Sequence, residues 1–353
     1  GYKSLNTANL PEPTIADGSD YFQTKIFTGN GSSTVLTTGF SPDMIWLKSR
    51  ASAFSHYLGD IVRGSNKLIQ PNSTAAEITT TSGISSFNSD GVTLGSGSET
   101  NANNDSMVAW IWDAGSSTVS NTDGSITSQV RANPTAGFSI VSWTGNSTAG
   151  ATLGHSLSAA PKMIIIKNRS RGTYGDWVIG HDAINGFQDG NQLYFTTASV
   201  ASGEGFFNNT SPTSSVFTVK NNYQVNYAGD NYIAYCFAPV EGYSAMGSYT
   251  GNGSTDGPFV HTGFKPKWLL VKLSSAANGN WWIWDSEREP VNPITIPLYA
   301  NTNAAETSSG TGAHDLISNG FKFRDTGGAY NTNGYTYIYA AFAEHPFKTA
   351  RAR

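Results

Sequence analysis

Three stretches of this chain are written to one pattern: "PDMIWLKSR" at 42–50, "PKMIIIKNRS" at 161–170 and "PKWLLVKLSS" at 266–275. Each has a proline, one charged residue, four apolar residues and a lysine (Lys48, Lys167, Lys272). Further markers keep the same order around them. A Thr-Gly-Asn turn precedes each run, at Thr28, Thr144 and Thr250. An aromatic stretch follows each: "MVAWIWDAG" at 107–115, "YIAYCFAPVEG" at 232–242 and "YIYAAFAEHP" at 337–346. Ahead of that stretch comes "NSDGVTL" (88–94), "SSVFTV" (214–219) or "SNGFKF" (318–323). A period of roughly 100 residues is too long for a solenoid turn or propeller blade and is the size of one sandwich domain.

Each unit reads as strands. "YFQTKIFTG" and "GFSIVSWTG" alternate apolar and polar residues, as half-buried strands do. The "MIWLK" runs are apolar on both faces, which predicts a central strand covered from both sides, entered at a proline where no ladder N–H is needed. The closing lysine is expected to return the chain to water. The aromatic stretch is a second central strand, paired with or facing the first. The expectation is therefore an all-β chain of three tandem β-sandwich (jelly-roll-like) repeats joined by short linkers, each burying its own core like a bead. The boundaries are an N-terminal arm at 1–20, repeats at 21–115, 137–241 and 242–347, a Ser/Thr-rich connector at 116–136 with strand character at "GSITSQV", and a basic tail at 348–353. The chain opens on Gly1 rather than Met, which reads as a fragment or a processed product.

Composition agrees: charged residues are only 13%, replaced by Ser, Thr, Asn and 38 glycines, and aromatics reach 12%. Such residues suit pleated strands and turns rather than long helices. The net charge of −4 comes with no Lys/Arg stripe, so no nucleic-acid partner is expected. No apolar run is long enough to span a membrane as a helix, and no signal peptide is recognised. The single cysteine, Cys236, cannot form an internal disulfide and reads as a buried structural thiol made in a reducing compartment.

Reactive groups at meaningful spacing are not found, so no enzyme, metal or cofactor is expected. The six histidines are scattered, and His155 and His261, both just ahead of the proline-led run, read as structural. Asp285 and Glu287, with Glu289 nearby, are the best carboxylate pair for a glycoside hydrolase. But "DSER" and "DIVR" (60–63) share an Asp-x-x-Arg spacing, and a local ion pair is the better reading. "NSDG", "NTDG" and "STDG" could offer oxygens to Ca²⁺; as Asx turns they need no ion. The feature that breaks the repeat is "NWWIWD" at 280–285. On a strand Trp282 and Trp284 share one face, and exposed paired tryptophans stack on sugars or anchor partners. Trp282, Trp284 and Asp285 are the candidate ligand-binding residues.

"LNTANLPEPTIADG" (5–18), "YIAYCFAPVEGYSAMGSYTGNGS" (232–254) and "YIYAAFAEHPFKTARAR" (337–353) resemble the C-terminal region of a family of virion proteins from marine tailed phages of the cyanophage and pelagiphage type. The resemblance spans nearly the whole chain. It implies a structural protein on the outside of a phage particle, made in the host cytoplasm: a tail fibre or adhesin, or a capsid-associated protein. It implies other virion proteins as partners and no catalytic residues; the ligand expected of its binding surface is a host surface glycan or a neighbouring virion protein. Purely architectural capsid decoration and glycan depolymerase are the alternatives. By analogy with three-fold fibres and decorations, a homotrimer is expected.

Overall fold

The computed structural model describes residues 12–188, 192–197, 200–201, 205–277, 279–307 and 312–346. The basic tail and most of the N-terminal arm lie outside them. The chain is almost entirely β, in antiparallel sheets.

One strand order occurs three times. In the first unit Phe22–Thr28 pairs with Ser106–Trp112, which pairs with Met44–Ser49, which pairs with Tyr57–Asp60. The second unit repeats it with Phe138–Thr144, Asn231–Phe237, Met163–Asn168 and Trp177–His181. The third does so with Ser244–Thr250, Thr336–Pro346, Phe264–Leu273 and Trp281–Asp285. The two apolar runs thus pair with each other at the heart of each unit, rather than facing each other across layers. Outside each main sheet lies a smaller one, built on the pairs Thr34–Thr37 with Gly91–Leu94, Ala151–Gly154 with Val216–Val219, and Phe259–His261 with Gly320–Phe323. The run ahead of the aromatic strand therefore makes the outer layer of a sandwich.

Strand alternation explains the double-sided apolar runs. Met44 and Trp46 face inward while Ile45 and Leu47 pack under the outer sheet; Met163 and Ile165 oppose Ile164 and Ile166 in the same way. What the sequence does not foretell is where the inner faces go. They meet. Trp46, Trp110 and Trp112, Trp177, Tyr235 and Phe237, and Trp268, Trp281 and Phe342 belong to one continuous core. The bead expectation is corrected: the units close round one shared interior, the first two bury private cores on their outer sides, and the third unit's outer layer is continuous with the shared core. A residual cavity of ≈ 20 Å³ sits there, lined by apolar side chains from all three units, among them Trp46, Ile165 and Ala340.

A first tier of polar contacts runs round the ring in one sense. At equivalent positions facing the run lysines, His56 Nε2 reaches Tyr299 O (2.9 Å), Trp177 Nε1 donates to Gln70 O (2.8 Å) and Trp281 Nε1 to Tyr194 O (2.8 Å). Trp46 Nε1 donates to His56 Nδ1, and burial pushes His56 down to about 3, so its neutral ring donates from Nε2. A second tier places Tyr235 OH on Asp60 (2.7 Å) and Trp110 Nε1 on Asp285 (3.1 Å) in the same sense, while His181 Nε2 meets Tyr339 O (3.2 Å) in the opposite one. Arg169 bonds Glu77, and Arg50 bonds Glu306, across two of the three joints. Each unit thereby holds the next.

Two local readings are also revised. The run lysines do not return to water: Lys48, Lys167 and Lys272 are fully buried. Their ammonium groups donate to backbone carbonyls, Lys48 to Ser49 O and Ser52 O, Lys167 to Thr74, Asn168 and Gly175 O, and Lys272 to Gly279 O. They satisfy loop carbonyls that the closed ring shuts away from solvent. The connector's strand character is not confined to "GSITSQV": Thr118–Asn121 and Ser128–Asn133 both extend the second unit's sheet, and Arg131 pairs with buried Asp43 of the first unit (2.7 Å).

The Thr-Gly-Asn marker has a packing cause. Buried Asn101, Asn226 and Asn331 accept from the backbone N–H of Asn30, Asn146 and Asn252. The preceding glycine lies against a backbone carbonyl. A Cβ on Gly29 would stand 2.1 Å from Ala102 O, and one on Gly251 2.3 Å from Thr332 O, so no other residue fits.

Candidate functional site

The tryptophan pair is not a surface. Trp282 and Trp284 are 6% and 0% exposed; they stack on each other at 5.3 Å and are enclosed by Tyr299, Tyr330, His314 and Phe323. Trp281 points the other way, into the shared core against Phe195. Both strand faces are covered, because the outer sheet takes one and the ring interior the other. Asp285 is buried too, bonded to Arg288 (2.6 Å) and to Trp110. The ion-pair reading of Asp-x-x-Arg holds in both copies: Asp60 and Arg63 meet at 2.5 Å. Glu287 pairs with Lys267 and Glu289 caps the Thr295 and Ile296 amides, so the carboxylates do not converge on one cleft.

Other candidates also resolve into structure. His155 is buried against Thr213 O, whereas His261 lies exposed on an outer strand. Asp90 accepts from Gly39 N, Asp123 from Asn121 Nδ2, and Asp256 pairs with Lys322. Among the described residues no three His, Cys, Asp or Glu side chains group as metal ligands. Cys236 is fully buried, and burial pushes its thiol well up.

A surface feature that sequence reasoning passed over stands out instead. The loop 169–176 joins Met163–Asn168 to Trp177–His181, and the segment 220–230 leads into Asn231–Phe237. Both lie at the same end of the second unit, since Asn168 pairs with Tyr232. They bring together three tyrosines. Tyr174 stacks on Tyr223 with ring centroids 5.2 Å apart, and Tyr223 on Tyr227 at 4.4 Å. Arg171 lies over Tyr223 and Tyr227, 5.2 and 4.8 Å from their centroids, with its Nε on Asp230. Tyr174 is 56% exposed and Tyr223 38%.

The mounting under these rings is stiff. Asn168 Nδ2 and Tyr232 OH both bond Tyr223 O, Asn168 also bonds Asp230, and Asn226 is locked to Asn146 and Thr148. A Cβ on Gly175 would stand 2.1 Å from Thr74 O of the first unit, so the Tyr174 loop sits hard against its neighbour. Tyr174 itself takes φ +59°, a left-handed conformation costly for a bulky residue. The corresponding loops, "RASAFS" and "SSAANGN", carry no tyrosine. The signal was legible as tyrosines in "RGTYGD" and "NNYQVNY" that break the repeat.

The whole ring is polar in direction. Trp112, Phe237 and Phe342, at equivalent strand ends, pack together. At that same end Ile15 enters the core, and Pro13, Gly242 and Pro346 come together. The tyrosines lie at the opposite end, a strand of seven residues away, or about 20 Å at ~3.3 Å per residue.

Fold and site thus define a class: an all-β ring of three sandwich units about one core, with an aromatic surface cluster at one end. The chain belongs to the family described as a domain of unknown function (DUF7483), whose model matches residues 17–346. No curated protein and no solved structure matches it.

Proposed function

We propose that this chain is a non-enzymatic structural protein on the outside of a phage particle, of the tail-fibre or adhesin type, presenting a binding surface to a host glycan or a neighbouring virion protein. The observation that supports this is the separation of attachment from display. Both ends of the described chain leave the ring at one end, and the exposed tyrosine cluster occupies the other. A protein mounted by its chain ends would hold that cluster outward. The cyclic polar contacts and shared core make the mount rigid, as presentation requires.

The test is binding of the purified chain to intact host cells, with and without Tyr174→Ala and Tyr223→Ala together. Loss of binding with an unchanged melting temperature is expected. Binding that survives both changes removes this surface; no binding by the unmodified chain leaves the architectural reading. Release of reducing sugar from host envelope would replace the proposal with a depolymerase. A homotrimer would have to form through the outer faces, since the three internal joints are already closed within one chain. Light scattering that gives a single 37.5 kDa chain at high concentration removes the trimer.

A further inference from the structure

The composition of the tyrosine cluster narrows its ligand, and this step rests on the binding reading above. We infer that the outer face of Tyr174, backed by the stacked rings of Tyr223 and Tyr227, docks an uncharged pyranose chain through a sugar ring that carries axial C–H groups on one face. Three features of the cluster support this.

The first is shape. Tyr174 spends one face on Tyr223, and its high exposure leaves ring surface open to solvent. An aromatic face is electron-rich and attracts polarised hydrogens. A pyranose with equatorial hydroxyls offers a flat patch of such C–H groups. The phenol hydroxyls at the rim supply donors and acceptors for the sugar's own hydroxyls.

The second is charge. Arg171 is the cation within the cluster, and its charge is balanced: Asp230 takes its Nε, and the guanidinium lies over two of the rings. Asp230 already balances its charge, so a sulfated or carboxylated glycan gains no net attraction there. A neutral chain loses nothing by comparison.

The third is the backbone. Holding a tyrosine at φ +59° opposes folding, and glycine would occupy that position without strain. A tyrosine kept there sits for its ring rather than for the loop, and backbone strain of this kind gathers at ligand sites.

Saturation-transfer NMR on the full chain tests this, with cellohexaose and xylohexaose as neutral probes and an oligogalacturonate as the anionic one. Transfer to the axial protons of the neutral probes is expected. Tyr174→Gly should abolish it while melting at or above the unmodified chain's temperature. Phe259→Ser, an exposed aromatic change on the third unit's outer strand, should leave it intact. Transfer that persists in Tyr174→Gly overturns the inference. So does transfer to oligogalacturonate alone, or none to either neutral probe. If host-cell binding nevertheless depends on Tyr174 and Tyr223, the proposed function stands and only the saccharide class falls. If neutral probes bind while host cells do not, the saccharide class stands and the adhesin reading falls.

Discussion

Arg288 offers the sharpest test of whether the three units share one fate. Its guanidinium is 1% exposed and serves the Asp285 carboxylate, Glu306, Ile283 O and Ile296 O. Asp285 in turn receives Trp110 from the first unit, and Glu306 receives Arg50. Arg288→Met keeps much of the side-chain length but leaves Asp285 buried without its cation. Breaking a buried pair by removing one partner costs about 3–5 kcal/mol. The shared core makes unfolding a single event for the three units of this 353-residue chain. At ~2.1 cal/mol/K per residue, its entropy is about 0.74 kcal/mol/K, so a loss of ~4 kcal/mol lowers Tm by about 5 °C. If the third unit melted alone, as a bead of ~100 residues, the same loss would move one transition by about 20 °C and leave the others in place. Scanning calorimetry separates these outcomes, and the nine tryptophans, spread over all three units, report the same transition by fluorescence. Independent transitions, only one of them shifted, would refute the shared-core reasoning.

Other predictions follow from the buried groups. Burial lowers Lys48 to about 8, Lys167 to about 7 and Lys272 to about 8, from 10.5. The unfolded state then binds more protons between those values, so stability rises with pH across that window and is lowest below it. Above it, the buried Tyr235, Tyr243 and Tyr249, whose pKa values are raised, turn the slope downward. The urea midpoint is expected to be higher at pH ~9.5 than at pH ~7, with the slope flattened in Lys167→Met; the reverse order would contradict it. Gly29→Ala, forcing a Cβ onto Ala102 O, should cost about 3 kcal/mol, the upper part of the overpacking range, read as a lower denaturation midpoint. Cys236, fully buried, should resist a thiol reagent until the whole ring unfolds; labelling of the native chain at the rate of a free thiol would contradict that.

Much of the fold was legible because strands write their burial along the chain. The "MIWLK" runs announced central strands, and the pairing partner was visible in the aromatic stretch of each copy. The Asp-x-x-Arg pairs were readable because both partners lie within one turn of the chain. The candidate site was not. Nothing local to "NWWIWD" tells whether the face bearing Trp282 and Trp284 meets solvent or another layer, and the outer sheet that covers it comes from residues some thirty positions away. The tyrosine cluster joins segments about fifty residues apart, so neither segment alone marks it.

By itself the sequence determined the strand content, the threefold recurrence of one strand order, the turns that need glycine, and the local ion pairs. All of these depend on residues near one another or on a period that can be counted. The tertiary structure decided the rest: that the inner faces meet in one core, that the run lysines end in carbonyl cages rather than water, and that a cluster of stacked, exposed tyrosines forms on the second unit. Those outcomes turn on which surface meets which, and a half-buried strand looks the same in sequence whether its apolar face packs on its own unit or on its neighbour's.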